Sequence, residues 1–110
     1  MDAFELEALE AQRAGAGRSY LEFLRVPALS AGLYTLEAGA ADGQSPHTED
    51  EIYVVMTGHA RIAVAEEVRE VGPGSVIHVP ATVPHRFQDI TERLELLVVF
   101  APAEDSPAAP

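Results

Sequence analysis

Two histidines and one acidic residue stand in sequence contexts that suit metal binding. His47 and Glu51 are four residues apart in the segment SPHTEDEIYVV, and His85 follows two prolines in the segment PATVPHRF. Imidazole nitrogens and carboxylate oxygens are common ligands of divalent transition metals in proteins. The three side chains therefore form a candidate metal site if the fold brings them together.

The spacing of His47 and Glu51 has different consequences on a helix and on a strand. On a helix the two side chains would share one face, as in helical zinc motifs. Pro46 and the following Ile-Tyr-Val-Val run favour a strand, in which this separation spans about 13 Å. We therefore expect the backbone to bend near Pro46, so that both side chains can bind one ion. Taken alone, the acidic run 49–51 better fits a solvated loop. In the metal-site interpretation, a bound cation would relieve the repulsion among its three carboxylates.

A proline-stiffened loop precedes His85. Pro80 and Pro84 each fix the backbone φ angle and remove an N–H donor, and His85 then opens a run of β-forming residues. A histidine held in this way loses little conformational entropy when it binds a ligand. Taken alone, His85 better fits a surface histidine at the start of a strand, so the metal hypothesis depends on both clusters.

Short β-type runs occupy most of the chain after residue 19. Each run is rich in Val, Ile, Leu or Tyr, and Gly or Pro residues stand between the runs. This pattern predicts an all-β barrel or sandwich, preceded by a helix over residues 3–14 that ends at Gly15 and Gly17. The predicted strands are Tyr20–Val26, Gly32–Glu37, Ile52–Met56, Arg61–Ala65, Val68–Val71, Ser75–Val79, His85–Ile90 and Leu94–Phe100.

The first cluster resembles the first motif of the cupin family of small β-barrels. That motif has a Gly, a His-x-His pair, a Glu a few residues later and a second Gly. Gly43, His47, Glu51 and Gly58 occupy these positions. Ser45 stands in place of the first His, and the spacing after Gly43 is shorter than in the usual motif.

The second cluster resembles the second cupin motif, which has a Gly, then Pro-x-Gly, a His and finally an Asn. Gly74, Pro80 and His85 occupy the corresponding positions. Thr82 replaces the second Gly of the motif, and Asp89 replaces the Asn. Two motifs in the order of the family are more specific than either motif alone.

The resemblance covers about residues 32–100 of the chain. It implies an all-β, cupin-type double-stranded β-helix, or jelly-roll barrel, with a short N-terminal helix. We accordingly expect an N-terminal extension over residues 1–18, the barrel over residues 19–101 and a flexible tail over residues 102–110. A chain of this length then forms one domain.

The resemblance also implies a divalent metal ion inside the barrel, held by His47, Glu51 and His85. The fourth ligand stays open, because the Ser45 that replaces the first His is a poor ligand. Gln44, Ser45 or water could complete the coordination shell. Fe, Zn, Mn and Ni all suit such a set, and the sequence does not choose among them. Two His and one carboxylate resemble the facial triad of non-heme iron oxygenases, which leaves positions open for substrate and O₂.

Strand parity supplies candidates for the pocket around the metal. Tyr53 shares the face of Glu51, and Phe87 shares the face of His85. Tyr53 would either donate a hydrogen bond to a ligand or only fill the core. His78 is a candidate acid or base, although the sequence does not decide which way it points. An interior rich in Val, Leu and Ile suits a small, largely apolar or neutral organic ligand.

Charge and composition exclude several classes of partner. The chain has 7 Arg and no Lys against 18 Asp and Glu, for a formal net charge of −11. Such a surface repels phosphate backbones and anionic lipid, so we expect no nucleic-acid or membrane partner. This charge and the absence of Cys together fit an intracellular protein, so we expect a cytoplasmic location. Because the chain has no Cys, a metal site in it must use imidazole and oxygen ligands.

Three functions are compatible with these features. The first is a metal-dependent enzyme that acts on a small organic molecule, with dioxygenase chemistry preferred and isomerase or lyase chemistry next. The second is non-catalytic small-ligand binding or sensing, which the missing first His favours. The third is a structural or storage barrel. We also expect a homodimer formed through residues 19–26, because a small antiparallel barrel leaves sheet edges to cover.

Overall fold

The computed structural model describes residues 1–43 and 46–105. The described residues form one helix and six strands, which agrees with the predicted all-β class. The helix α1 (Leu6–Ala16) comes first. It is followed by the strands β1 (Tyr20–Val26), β2 (Leu29–Leu36), β3 (Asp50–Val64), β4 (Glu67–Val71), β5 (Val76–Val79) and β6 (His85–Ala101).

Helix α1 begins and ends later than the sequence predicts. It runs through Gly15 to Ala16 and is capped by Gly17, whose left-handed φ of 66° favours glycine. The N–H of Gly17 donates to the carbonyl of Ala14 at 3.0 Å and so closes the helix end. Leu9 is the apolar side chain that the helix buries. No helix in the described part of the chain is long and apolar enough to cross a membrane.

The two longest strands, β3 and β6, lie side by side in the sheet that forms the barrel. The sheet order is β1-β2-β6-β3-β4, with β5 also paired to β3, and every pairing is antiparallel. Strand β5 pairs with the first part of β3, and β4 pairs with its last part. Strands β3 and β6 pair from Asp50↔Ala101 to Val64↔His85, so the start of β6 lies beside the end of β3.

The long strands replace four of the predicted short ones. We expected from the sequence that strands would end near Gly58 and near Thr91. Both positions lie inside continuous strands instead. The register between β3 and β6 shifts three times between Val55 and Arg61. Gly58 has a φ of 96°, and a Cβ there would collide with the Arg93 carbonyl oxygen. Glycine therefore permits a bulge and a close approach of two backbones within a continuous strand.

The core lies inside the barrel, where alternate residues of the strands point. Each of these side chains is almost completely removed from solvent. Burial of a Val, Leu, Ile or Phe side chain stabilises the fold by about 1.5–3 kcal/mol. The largest members are Leu36, Tyr53, Val55, Ile62, Val79, Phe87, Ile90, Leu94, Leu96, Val98 and Phe100.

The segment after β6 returns to the barrel instead of leaving it. Ala103 is buried, and its N–H donates to the carbonyl of Pro27 at 3.4 Å. The N–H of Glu104 donates to the Ser30 hydroxyl at 2.9 Å. These two hydrogen bonds hold the backbone of Ala103 and Glu104 against β2 and the turn before it. The flexible tail over residues 102–110 stays a prediction. Residues 106–110 lie outside the described part of the chain.

Candidate functional site

The structure brings His47, Glu51 and His85 together. One ligand atom from each residue lies within 4.8 Å of the other two. His85 Nε2 is 2.9 Å from Glu51 Oε1, and the His47 and His85 rings have centroids 5.8 Å apart. Glu51 and His85 are buried, whereas His47 is half-buried. Two imidazoles and one carboxylate thus converge on one point at the edge of the core.

Curvature of the barrel accounts for the meeting of Glu51 and His85. In the β3–β6 ladder His85 is paired with Val64, which lies thirteen residues along β3 from Glu51 (64 − 51). A straight strand of that length would span about 43 Å. Because the paired strands coil into a barrel, the start of β3 returns to face the start of β6. The fold, and not local sequence, creates this contact.

Glu51 and His47 are placed by the beginning of β3. Glu51 is the second residue of the strand and points inward, whereas the next residue, Ile52, is exposed. His47 precedes the strand in the loop, and its carbonyl accepts the N–H of Thr82 at 2.6 Å. The loop that holds His47 is therefore fastened to the proline-rich loop before β6. Its ring packs edge-on against Phe100 with centroids 5.0 Å apart.

His85 is oriented by its own loop. Its Nδ1–H donates to the Val83 carbonyl at 2.9 Å, so a neutral imidazole presents the lone pair of Nε2 to Glu51. This is the arrangement by which second partners orient metal-binding histidines. The Tyr53 ring lies 6.0 Å from the His85 ring and contacts Phe87 at 4.9 Å. These buried aromatic rings hold the imidazole in place.

Two buried atoms of the site lack hydrogen-bond partners. Glu51 Oε1 and His85 Nε2 approach to 2.9 Å, but their orientation does not meet the angles of a hydrogen bond. An unsatisfied buried polar group costs about 1–3 kcal/mol. A divalent cation between the two lone pairs would satisfy both, and carboxylate and imidazole are ligands that such a cation accepts. The donor set therefore fits a metal ion.

The surroundings of His85 also change its affinity for a proton. Burial lowers the pKa of the imidazole, but the Glu51 carboxylate and the Val83 carbonyl together raise it more, so the pKa lies above its usual value. Without a metal, a proton on His85 is the alternative partner for Glu51. A metal ion must displace that proton, because metal ligation requires the free nitrogen.

A cavity of about 180 Å³ adjoins two of the three residues. His47 and Glu51 form part of its wall, so an ion held by them would face the cavity. The other lining residues are three aromatic side chains, one aliphatic side chain and one further carboxyl group: Tyr20, Tyr34, Phe100, Val98 and Glu104.

The sequence-derived pocket candidates lie elsewhere. Tyr53 and Phe87 are buried in the core behind His85 and are not among the residues that line this cavity. His78 does not line this cavity either, because Val79 takes the inward position of β5 and His78 points outward. There His78 Nε2 donates to Asp50 Oδ2 at 2.9 Å. Gln44 and Ser45, the candidate fourth ligands, lie outside the described residues.

Sequence reasoning missed most of the cavity wall. Tyr20 and Tyr34 are directly opposite each other on β1 and β2, with ring centroids 6.1 Å apart. The Pro27-Ala28 turn signal between two β runs could have revealed this cross-strand pair. Glu104 has no comparable signal, because it lies in a Pro- and Ala-rich segment that is typical of a frayed end.

Asp42 is a further residue that the sequence did not single out. It is buried, and it accepts hydrogen bonds from the Tyr34 hydroxyl at 3.1 Å and from the Phe87 N–H at 2.9 Å. Asp42 thereby fastens the loop before β3 to β2 and β6. It positions both the loop that carries His47 and one aromatic wall of the cavity.

Comparisons with known proteins agree with this architecture. An uncharacterized protein of Streptomyces coelicolor, SCO3923, is 51% identical over 104 residues, which cover 94% of this chain and 99% of that protein. The crystal structure of TT1209 from Thermus thermophilus has a TM-score of 0.74 at 24% identity, and the match covers 94% of this chain and 99% of that one. The DMSP lyase DddQ from Ruegeria pomeroyi has a TM-score of 0.70 at 21% identity, over 87% of this chain and 52% of that one.

The family is shown by a match to the Cupin domain over residues 32–100. This match covers more than half of the chain and includes His47, Glu51 and His85. The barrel, the two sequence motifs and the convergence of those three side chains inside it agree with the match. The chain therefore belongs to the cupin family.

Proposed function

We propose that the protein is a metal-dependent enzyme that acts on a small organic molecule bound in the cavity. The observation that carries the proposal is the pair of buried, unpartnered atoms, Glu51 Oε1 and His85 Nε2. Glu51 also lines a cavity of about 180 Å³, which is large enough for a small ligand. His47, Glu51 and His85 would hold the ion, with Gln44, Ser45 or water as the fourth ligand.

The ligand set supports catalysis because it is incomplete. Three protein ligands leave open positions, and a bound divalent ion would supply Lewis-acid chemistry or an activated water there. Dioxygenase chemistry is our first choice, since two His and one carboxylate form the set used by non-heme iron oxygenases. Isomerase or lyase chemistry is second. The similarity to a DMSP lyase supports only a shared barrel.

The protein's own residues bind and orient the substrate. Phe100 packs on His47 and, with Val98, gives the cavity an apolar wall that limits the access of water. The Tyr20 hydroxyl is buried without a hydrogen-bond partner and lines the cavity, so it is available to a ligand. Glu51 supplies the negative charge that a divalent ion requires.

Elemental analysis tests the metal centre. Protein expressed in medium supplemented with Fe, Zn, Mn and Ni should contain about one equivalent of metal, and His85→Ala should lose most of it. His78→Ala is the matched control, because His78 is exposed on the outside of the barrel and should leave the metal content unchanged. Equal metal content in His85→Ala and wild type would contradict the proposed site.

Measurement of turnover separates the enzyme from its alternative. If the protein only binds or senses a ligand, a ligand that occupies the cavity will be recovered unchanged from metal-loaded protein under air. Consumption of O₂ or conversion of the ligand, absent from His85→Ala, supports catalysis. The serine that replaces the first histidine of the motif is the feature that favours the non-catalytic alternative.

A homodimer is the assembly that we propose for this barrel. Strand β1 lies at the end of the sheet order and is paired only with β2 among the described residues, so its other edge is open to a second chain. Light scattering should give twice the mass of 11.8 kDa for the single chain. A monomer at micromolar concentration would exclude this assembly.

A further inference from the structure

We infer that the cavity binds a small organic cation, with an ammonium group held by Glu104 and the surrounding aromatic rings. This inference rests on the proposed function in one respect, because it takes the cavity beside the candidate metal ligands as the substrate site. It adds the class of ligand, which we had expected from the sequence to be a small, largely apolar or neutral molecule.

The charges around the cavity favour a cation. Glu51 and Glu104 both line it, and no Arg lines it among the residues that the structure describes. Glu104 is not part of the ligand cluster formed by His47, Glu51 and His85. A divalent ion held there would more than offset the charge of Glu51, and Glu104 would remain as a second, separate carboxylate on the cavity wall. An anionic ligand would have to lie beside this carboxylate without a cationic side chain to offset it.

The raised pKa values of Glu104 and Tyr20, which both line the cavity, also indicate a negative electrostatic potential there. Burial, with a smaller contribution from the neighbouring carboxylates of Asp105, Glu51, Glu22 and Glu49, raises the pKa of Glu104 to about 7. Burial also raises the pKa of Tyr20, and the same effect comes from the carboxylates of Glu104, Glu22 and Glu51. A positive charge placed between these groups would be stabilised by all of them.

The aromatic lining provides the second contribution. Tyr20 and Tyr34 lie edge to face, with an angle of 72° between their rings, and Phe100 lines the same cavity. The face of an aromatic ring attracts a cation, and several rings together form the usual binding site of quaternary ammonium groups. Because Gly32 has no Cβ, the Tyr20 hydroxyl can lie directly over it, which keeps the ring inside the cavity wall.

Three probes of similar shape and different charge test the inference. Choline is the cation, 3,3-dimethylbutan-1-ol is its uncharged isostere, and 3,3-dimethylbutanoate is the related anion. Each is titrated into metal-free and zinc-loaded protein and followed by NMR of the aromatic side chains. We expect choline to bind about tenfold more tightly than the alcohol in both states, with shifts of the Tyr20 and Tyr34 resonances. Equal affinity for choline and the alcohol in both states would overturn the inference.

Charge removal at Glu104 localises the effect. Glu104→Gln keeps the shape of the side chain and should lower the affinity for choline about tenfold, while the affinity for the alcohol stays within twofold. The unchanged alcohol affinity shows that the variant is folded. The control is Glu92→Gln, because Glu92 is exposed and paired with His59 away from this cavity, and it should bind choline like wild type. Equal choline affinity in Glu104→Gln and wild type would overturn the assignment to Glu104.

The two proposals fail in different ways. Metal content is measured on the same samples by elemental analysis, independently of the probes. If zinc does not bind but metal-free protein prefers choline, the metal-dependent function fails and the cation site stands. If zinc binds to His47, Glu51 and His85 but the protein does not prefer choline, the cation site fails and the metal centre stands.

Discussion

At the scale of single residues, the candidate metal site depends on polar side chains that the fold buries without satisfying all of their hydrogen bonds. Glu51 and His85 are buried together, and each leaves one atom without a hydrogen bond. Asp42 lies close by in the structure and is in the opposite situation, because it accepts two hydrogen bonds. The hydrogen bonds of Asp42 fix the loops, whereas the two unpartnered atoms of Glu51 and His85 are those that we propose to bind an ion.

Removal of Asp42 should destabilise the barrel and loosen the site. Asp42→Ala leaves the Phe87 N–H and the Tyr34 hydroxyl without this acceptor, which should cost about 2 kcal/mol of unfolding free energy. Urea denaturation measures the change. Asp2→Ala is the control, since Asp2 is exposed at the N-terminus and should change the stability by less than about 0.5 kcal/mol. Equal stability of the two variants would show that the Asp42 hydrogen bonds do not hold the loop.

At the scale of elements, continuity of β3 and β6 is what carries the ligands to one place. Both strands pass through bulges instead of turns, and these allow the paired strands to curve. Gly58 lies in the middle of β3 at a φ of 96°, beside the backbone of Arg93. Helix α1 contains a contrasting glycine, Gly15, with open space around it.

Alanine substitutions at these two glycines should have opposite effects. Gly58→Ala should lower the free energy of unfolding by about 3 kcal/mol, because the new Cβ meets the Arg93 carbonyl and the left-handed φ disfavours alanine. Gly15→Ala should raise it by about 0.5–1 kcal/mol through helix propensity. Chemical denaturation of both variants gives the comparison. If Gly58→Ala were as stable as wild type, the close approach of β3 and β6 would be wrong.

At the scale of the whole molecule, the sequence predicted the class of fold better than the details of its strands. The predicted cupin barrel is confirmed by the family match and by the observed strands. It could be predicted because turn residues and two spaced motifs mark it along the chain. Continuity of β3 through Gly58 was missed, since a glycine between β runs fits a turn as well as a bulge. Glu104 was missed as well, because its place in the cavity depends on hydrogen bonds to distant segments of the chain.

The sequence motifs predicted the identity of the candidate metal ligands but not the orientation of every nearby side chain. Their residue types and order were visible in the sequence, and the structure places their ligand atoms within 4.8 Å of one another. The outward position of His78 was not visible, because strand parity needs one known inward residue as a reference. That reference, Val79, is supplied by the pairing of β5 with β3.

The acidic cavity should make the stability of the metal-free protein depend on pH. The pKa of Glu104 is about 7 in the folded protein against a usual value of 4.5. The folded state therefore holds a proton more tightly than the unfolded state, and its stability falls as the pH rises from about 4.5 through about 7. The melting temperature of wild type should consequently drop between about pH 5 and about pH 8 by more than that of Glu104→Gln.

The control for this pH dependence is Glu92→Gln, because Glu92 is exposed and does not line the cavity. It should follow wild type, because it leaves the Glu104 carboxyl in place. His85 contributes a dependence of the same sign in all three proteins, since its pKa is also raised. Identical pH profiles for wild type and Glu104→Gln would show that Glu104 does not titrate near neutral pH.

Anomalous X-ray diffraction from crystals of zinc-loaded protein would show whether His47, Glu51 and His85 bind one metal ion. The proposed site predicts one strong anomalous peak in each chain, bonded to a nitrogen of His47, an oxygen of Glu51 and Nε2 of His85, on the wall of the cavity. An anomalous peak at other residues, or none at full zinc saturation, would contradict it.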